Sequence, residues 1–309
     1  MIRFLIFSLV LLSSINIYAQ KKRSNPKVSS SAQRQDTLKT TKESLPNGMV
    51  KVTTLNKKTN KIIHEVELLD TFKNGKELFY YYNGELKTEL TYAKNIKNGI
   101  YKEYLSNTKI QIDGNYKNGL EDGEWAYYHP NGNLYMSRGY KEGVPNGPMI
   151  ILDSVGTKLV DGNYKNGKKH GKWLDYHDNG NIRLDAYFKY DQYEGPYTAY
   201  FPNGKVHVKT YFLDGKLEGQ RLEYDSTNKP VSRYTYRNNR KSGAFELYYP
   251  DGKVSENGIY ISEILSGRYK SFYENGAVKE EGEYKNGKKI GKWFSYTLDG
   301  KKTKTKYDE

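Results

Sequence analysis

Tyr164-Lys165-Asn166-Gly167-Lys168-Lys169-His170-Gly171-Lys172-Trp173 decides how this chain folds. It is nearly repeated as Tyr284-Lys285-Asn286-Gly287-Lys288-Lys289-Ile290-Gly291-Lys292-Trp293. Both stretches belong to a series of nine units. In each, glycine follows an aromatic residue after seven positions, and the next aromatic comes 24 positions on. The aromatics are Tyr92, Tyr116, Tyr140, Tyr164, Phe188, Phe212, Tyr236, Tyr260 and Tyr284. The glycines are Gly99, Gly123, Gly147, Gly171, Gly195, Gly219, Gly243, Gly267 and Gly291. Nine units in register without an insertion make a repeat array, in which each unit packs on its neighbours. Such an array presents one surface many times, which points toward binding and away from catalysis.

Each unit has the grammar of hairpins. From Tyr164, Lys165 to Gly171 reads as a turn around an Asn-Gly pair, and Lys172-Trp173-Leu174-Asp175-Tyr176 reads as a strand. His177-Asp178-Asn179-Gly180 reads as a second turn, and Asn181 to Phe188 as a second strand. Asn-Gly favours positive φ, because glycine lacks Cβ and asparagine tolerates the left-handed region. Two strands per unit, with turn signals at short intervals, exclude a helical solenoid. The expected fold is all-β: an elongated, twisted antiparallel meander of about ten two-stranded hairpin repeats with period 24.

Counting from the unit aromatic as zero, position 9 holds Tyr101, Trp125, Met149, Trp173, Tyr197, Phe245, Tyr269 and Trp293, with Arg221 the exception. Position 12 holds Tyr104, Tyr128, Leu152, Tyr176, Tyr200, Tyr224, Tyr248, Phe272 and Tyr296. Three positions apart on a strand means opposite faces unless a bulge intervenes. Either both faces carry aromatic rows or every unit has a bulge.

The chain has 309 residues, of which 36% are hydrophobic, and its 31 tyrosines supply aromatic area that the aliphatics do not. Tyrosine suits a thin sheet with little dry interior, because its body is apolar and its tip polar. Arg3, the apolar stretch Phe4 to Leu12 and the run Ile17-Tyr18-Ala19-Gln20 form the pattern of a signal peptide cleaved near Ala19. The protein is therefore expected to be exported to the periplasm, cell envelope or medium, with no transmembrane span after cleavage. The segments expected are a signal peptide at 1–19, a disordered linker at 20–44, a degenerate N-terminal capping segment at 45–71 and the repeat array at 72–309. The array opens with a unit at Phe72, which stands closer to Tyr92 than the period requires, as if part of a turn were missing.

A net charge of +14 favours anionic partners, although lysine also blocks unwanted pairing at sheet edges. None of His64, His129, His170, His177 and His207 stands in a metal-ligand spacing, and cysteine is absent. No carboxylate pair, nucleophile elbow or phosphate-cradling loop stands out against the repeat. No enzyme activity, metal or cofactor is expected.

The phrase from Tyr164 to Trp173 and its copy at Tyr284 resemble a MORN repeat. More closely they resemble the bacterial MORN-repeat variant family, whose units combine an Asn-Gly-Lys turn, Gly-Lys-Trp and Tyr-Tyr-x-Asn-Gly. The likeness runs from Phe72 to about Tyr307. Units at Tyr140 and Phe212 depart from it: Met149 and Arg221 replace tryptophan, and Ser226-Thr227-Asn228 replaces a glycine turn. The resemblance implies the β-repeat architecture. Many bacterial members are labelled antitoxin components of toxin–antitoxin modules, which implies a protein that sequesters a partner. Eukaryotic MORN proteins are associated with membrane attachment, junction scaffolding and dimerisation.

The candidate binding surface comprises Tyr128, Trp173, Tyr176, Tyr200, Tyr224, Tyr248 and Trp293. Tyrosines repeated every two strands form either a stacking ladder for an extended ligand or the cross-strand pairs that hold a thin sheet together. The expected function is an exported binding or scaffolding surface for another protein, an exported toxin among the candidates. The alternative is a binder of anionic envelope glycans or lipid headgroups through tyrosine rows and lysine-rich turns. Nucleic acid is not an expected partner.

Overall fold

The computed structural model describes residues 37–308, so the expected signal peptide and most of the expected linker lie outside the described residues. Among the described residues twenty-six strands, β1 to β26 in chain order, form one antiparallel sheet. Three of the twenty-six are short pieces that lead into the next strand, and otherwise consecutive strands pair with one another along the chain. Among the described residues there is no α-helix; a single 3-10 turn spans Pro46–Gly48. The architecture is the elongated all-β repeat meander that the period implies.

The unit at Tyr164 shows how the sequence builds it. Strand β12 (Lys158–Lys165) turns directly into β13 (Lys168–Tyr176), which pairs on its other side with β14 (Ile182–Lys189). The first turn consists of Asn166 and Gly167 alone and does not extend to Gly171. Asn166 and Gly167 have φ of 52° and 79°, the double positive φ of a type I′ turn, whose twist matches that of the flanking strands. Gly171 therefore lies inside a strand. Its φ is 80°, and the register between β12 and β13 shifts there, so it is the pivot of a bulge. The second turn closes with the Gly180 N–H donating to His177 C=O at 2.8 Å. Where Ser226-Thr227-Asn228 replaces the glycine turn, Asn228 takes the same left-handed role at φ 76°, and its N–H donates to Asp225 C=O at 2.9 Å. That departure changes the residue and keeps the turn.

Neighbouring turns are tied together along one long margin of the sheet. The Gly167 N–H donates to Pro145 C=O and the Gly119 N–H to Lys97 C=O, each at 2.8 Å. The opposite margin has its own ties. The Tyr81 hydroxyl donates to Tyr104 C=O at 2.7 Å, and the Tyr273 hydroxyl donates to Tyr296 C=O at 2.8 Å. His129 and His177 occupy the equivalent place, with Nε2 3.1 and 2.9 Å from Leu152 and Tyr200 carbonyls. These two histidines are bonded to the backbone of the next unit.

At the N-terminal end the register corrects the reading of a shortened unit. Strand β3 (Ile62–Leu69) turns through Asp70 and Thr71 into β4 (Phe72–Tyr80). Leu68 then stands one full period before Tyr92, and Gly75 one full period before Gly99. Nothing is missing from the turn. A leucine occupies the aromatic position, and Phe72 is the first residue after the turn. Strands β1 (Leu38–Ser44) and β2 (Met49–Asn56) extend the same sheet, so the end of the expected linker forms an edge strand instead. Position 9 at this end is Glu77, 3% exposed, whose carboxylate meets Lys73 Nζ at 2.6 Å and His64 Nε2 at 2.9 Å. Burial opposes the charge of Glu77, yet Lys73 and His64 outweigh it and hold the carboxyl below its usual range.

Candidate binding surface

Both alternatives for the aromatic rows hold, on different strands. Along β13, Trp173, Leu174, Asp175 and Tyr176 follow one another without a bulge, so Trp173 and Tyr176 face opposite ways. The bulge is on the return strand. Trp173 pairs with Ala186 and Asp175 with Leu184, but Tyr176 pairs with Ile182, leaving Arg183 as the extra residue. The same step recurs at Tyr104, Tyr200, Tyr224, Tyr248 and Phe272.

The face bearing position 9 is the core. Trp125, Trp173 and Trp293 are 2%, 3% and 1% exposed, low values for a sheet with no second layer. A seat of glycine explains them. Gly114, Gly162 and Gly282 precede Trp125, Trp173 and Trp293 by one and the same interval, and a Cβ at any of them would lie 2.2–2.4 Å from the indole. With no side chain on the intervening strand, the rings of Tyr101 and Trp125 meet with centroids 5.5 Å apart. Two strand spacings would otherwise hold them roughly 10 Å apart. Unit aromatics close the cluster edge-on, Tyr164 at 5.5 Å and Phe188 at 6.0 Å from Trp173.

Where the seat is larger, the ring is smaller or displaced. Ala186, fully buried, holds the seat position before Tyr197. Tyr234 fills the seat before Phe245, and the two rings stack at 5.8 Å and 15°. Lysines at position 5 cap the rings. Lys169 Nζ lies 4.1 Å from the Trp173 ring, Lys241 Nζ 3.9 Å from Tyr234 and Lys289 Nζ 4.0 Å from Trp293. Burial pulls the Lys169 ammonium below the usual lysine range, against the pull of Asp175 and Asp191.

Trp173 and Trp293 are therefore a correction to the candidate surface. Their ring faces lie under neighbouring side chains, so they belong to the core. Tyr128, Tyr176, Tyr200, Tyr224 and Tyr248 stand on the opposite face, each half-buried, among crossed charges such as Lys172–Asp185 at 3.2 Å and Arg233–Glu246 at 2.5 Å. Burial, and then a hydrogen bond to Glu246, push the Tyr248 phenol up to about 12. Glycine seats were the readable signal that escaped notice: each tryptophan has a glycine at the same fixed interval before it.

Among the described residues no group of three or more His, Asp or Glu could hold a metal ion. His64 bonds Glu77, and His207 lies 3.8 Å from Glu223 with its ring against Phe201. Two hollows are open ones: about 240 Å³ at the turn margin beside Tyr190, and about 670 Å³ beside Arg221.

With this geometry in hand, five segments match the profile of the MORN repeat variant: 73–94, 121–142, 169–190, 193–214 and 265–286. The chain is similar to that family over part of its length. All five matches begin at position 5 of a unit, and their starts differ by multiples of 24, so the match repeats the structural period. No curated protein matches the chain. A MORN-like repeat meander of this kind is an all-β scaffold capable of binding protein.

Proposed function

We propose that this chain is an exported, non-enzymatic docking scaffold whose partner is another protein, engaged through the tyrosine-bearing face. One observation carries the reading. Tyr128, Tyr176, Tyr200, Tyr224 and Tyr248 recur at one position on a face that, among the described residues, no second layer covers, while the tryptophans are sealed on the other. Large amphipathic rings flanked by polar groups are what protein interfaces use as anchors. Export rests on Arg3, Phe4 to Leu12 and the Ile17–Gln20 run. An exported toxin is the partner that the antitoxin label of similar proteins suggests.

Replacing Tyr200 and Tyr224 together with alanine tests the role. The double variant should lose a partner that co-purifies with the wild type from envelope fractions, while its melting temperature falls by no more than a few degrees. If it melts far lower, these rings hold the sheet together and the docking reading fails.

A second reading, an anionic glycan or lipid headgroup, is favoured by the C-terminal edge. Every residue of strand β26 (Lys302–Tyr307) is exposed, and among the described residues the strand pairs only with β25 (Lys288–Tyr296). Lys302, Lys304 and Lys306 alternate along it, and Lys302 Nζ lies 3.8 Å from the Phe294 ring. Charge-led binding there should weaken steeply as salt rises, and hydrophobic protein docking should not.

A further inference from the structure

Arg221 is the one charged residue at position 9 of the nine regular units, and the ring-bearing face is hollow beside it. In the same unit Ser232 takes the place held by Met136, Leu184 and Val208 in other units, so aliphatic filling is missing as well. A trough of about 670 Å³ results, lined among others by Arg221, Glu223, Ser232, Tyr234, Tyr236 and Lys241. These residues sit on β18 (Gly219–Tyr224), β19 (Pro230–Arg237) and β20 (Arg240–Tyr248).

The lining has a definite chemistry. Arg221 Nη1 donates to Glu223 Oε2 at 2.7 Å, which fixes the guanidinium and leaves most of its donor fork free for a ligand. Lys241 is held against the Tyr234 ring at 3.9 Å. Two cations stand against one carboxylate, so the trough favours an anion, and a planar fork favours a carboxylate. Its remaining polar groups are hydroxyls and the Glu223 carboxylate, which suit a ligand with hydroxyls of its own. No sheet edge is on offer. Strand β18 is paired with β16 (Val206–Leu213) and β19, and β20 with β19 and β21 (Val254–Ile261). A peptide laid in the trough would bring amides and carbonyls that find no sheet edge to pair with.

We propose that this trough binds a saccharide bearing a carboxylate. Arg221 and Lys241 hold the carboxylate, while Glu223, Ser232 and the Tyr236 phenol pair with sugar hydroxyls. Its volume lies within the range of small-ligand sites. The site lies mainly on the face opposite the tyrosine row, takes in Tyr248 from that row and is away from the lysines of β26. Its test leaves Tyr200, Tyr224 and those lysines unchanged, so it is read apart from both readings above.

The probe is trigalacturonate, titrated into the full chain by calorimetry and followed by amide chemical shifts. Its methyl ester and a glutamate tripeptide are the comparison ligands. Arg221→Tyr restores the ring of the other units, and Lys241→Gln removes the second cation with little change of shape. Lys289→Gln, the same change over a ring with no trough, is the control. Expected are shifts confined to residues 219–260 and a loss of affinity of about tenfold or more in each trough variant, with the control unchanged. Weaker binding of the methyl ester supports the carboxylate. Should Arg221→Tyr fail to fold, Lys241→Gln carries the test. The proposal is overturned if trigalacturonate does not bind at millimolar concentration, if its ester binds equally well, if Lys241→Gln leaves affinity unchanged, or if the tripeptide binds more tightly at the same residues.

Discussion

Adding one methyl group at Gly162 should test the packing more sharply than any large deletion. Gly162 does not lie at positive φ, so alanine there is conformationally allowed. On chain entropy alone, Gly162→Ala should stabilise by about 0.4–1 kcal/mol. The new Cβ, however, would lie 2.2 Å from Trp173 Cε3 and 2.5 Å from Cδ2. Ordinary contact begins near 3.4 Å, so the indole must retreat by over 1 Å. It is rigid, 3% exposed and hemmed by Tyr164, Phe188 and Lys169, so the whole cluster shifts. Overpacking of a dense core costs about 1–3 kcal/mol. Disturbing the lysine–indole contact adds about 0.5–1 kcal/mol. The net expectation is a destabilisation of about 1–3 kcal/mol, read by urea unfolding with far-UV circular dichroism. A neighbouring unit supplies the rescue, since Ala186 already seats the smaller ring of Tyr197. Gly162→Ala combined with Trp173→Tyr should recover part of the loss, with a coupling of about 0.5 kcal/mol or more in a double-mutant cycle. A neutral or stabilising single variant, or strictly additive losses, would refute the seating argument.

Two further outcomes follow from charge and burial. Burial pushes the Tyr193 phenol up to about 12, and Tyr92 likewise to about 12 with help from Glu77. A phenol whose folded pKa is raised favours the protonated fold. Its contribution is intact below the unfolded value near 10 and is lost as pH climbs toward 12, so alkaline unfolding should fall in that window. Parallel records of phenolate absorbance and circular dichroism check it; full ionisation with the sheet intact would contradict it. At the C-terminal edge, replacing Lys302, Lys304 and Lys306 together with valine should convert a charged edge strand into a sticky one. Light scattering should then show association that the wild type lacks; an unchanged monomer fraction would mean that the lysines do not guard the edge.

The period, the hairpins and the turn glycines were legible because each rests on a local rule repeated nine times. Facing was not. Tyr176 faces away from Trp173 because the extra residue of that pair, Arg183, falls on the return strand and not on β13, and bulge residues at that place range from Tyr135 to His207 with no common chemistry. Gly171 looked like part of a long turn because glycine marks turns and bulges alike. Phe72 looked like a unit aromatic because Leu68, which holds that place, is aliphatic and its turn, Asp70-Thr71, lacks glycine. At the candidate surface, the tyrosines of one face and the tryptophans of the other share a strand, and composition alone ranks tryptophan as the better anchor. Only the seat beneath each indole shows why it is out of reach.

The bond from Gly167 to Pro145 has a wider meaning for how such a chain can change. From Asn95 to Gly287 each turn on that margin is moored to the unit before it by the same backbone bond. Duplicating or excising one whole unit therefore leaves each surviving mooring with an equivalent mate. Length is then free to drift in whole steps during evolution, growing or shrinking by tandem copying without any redesign of the interior.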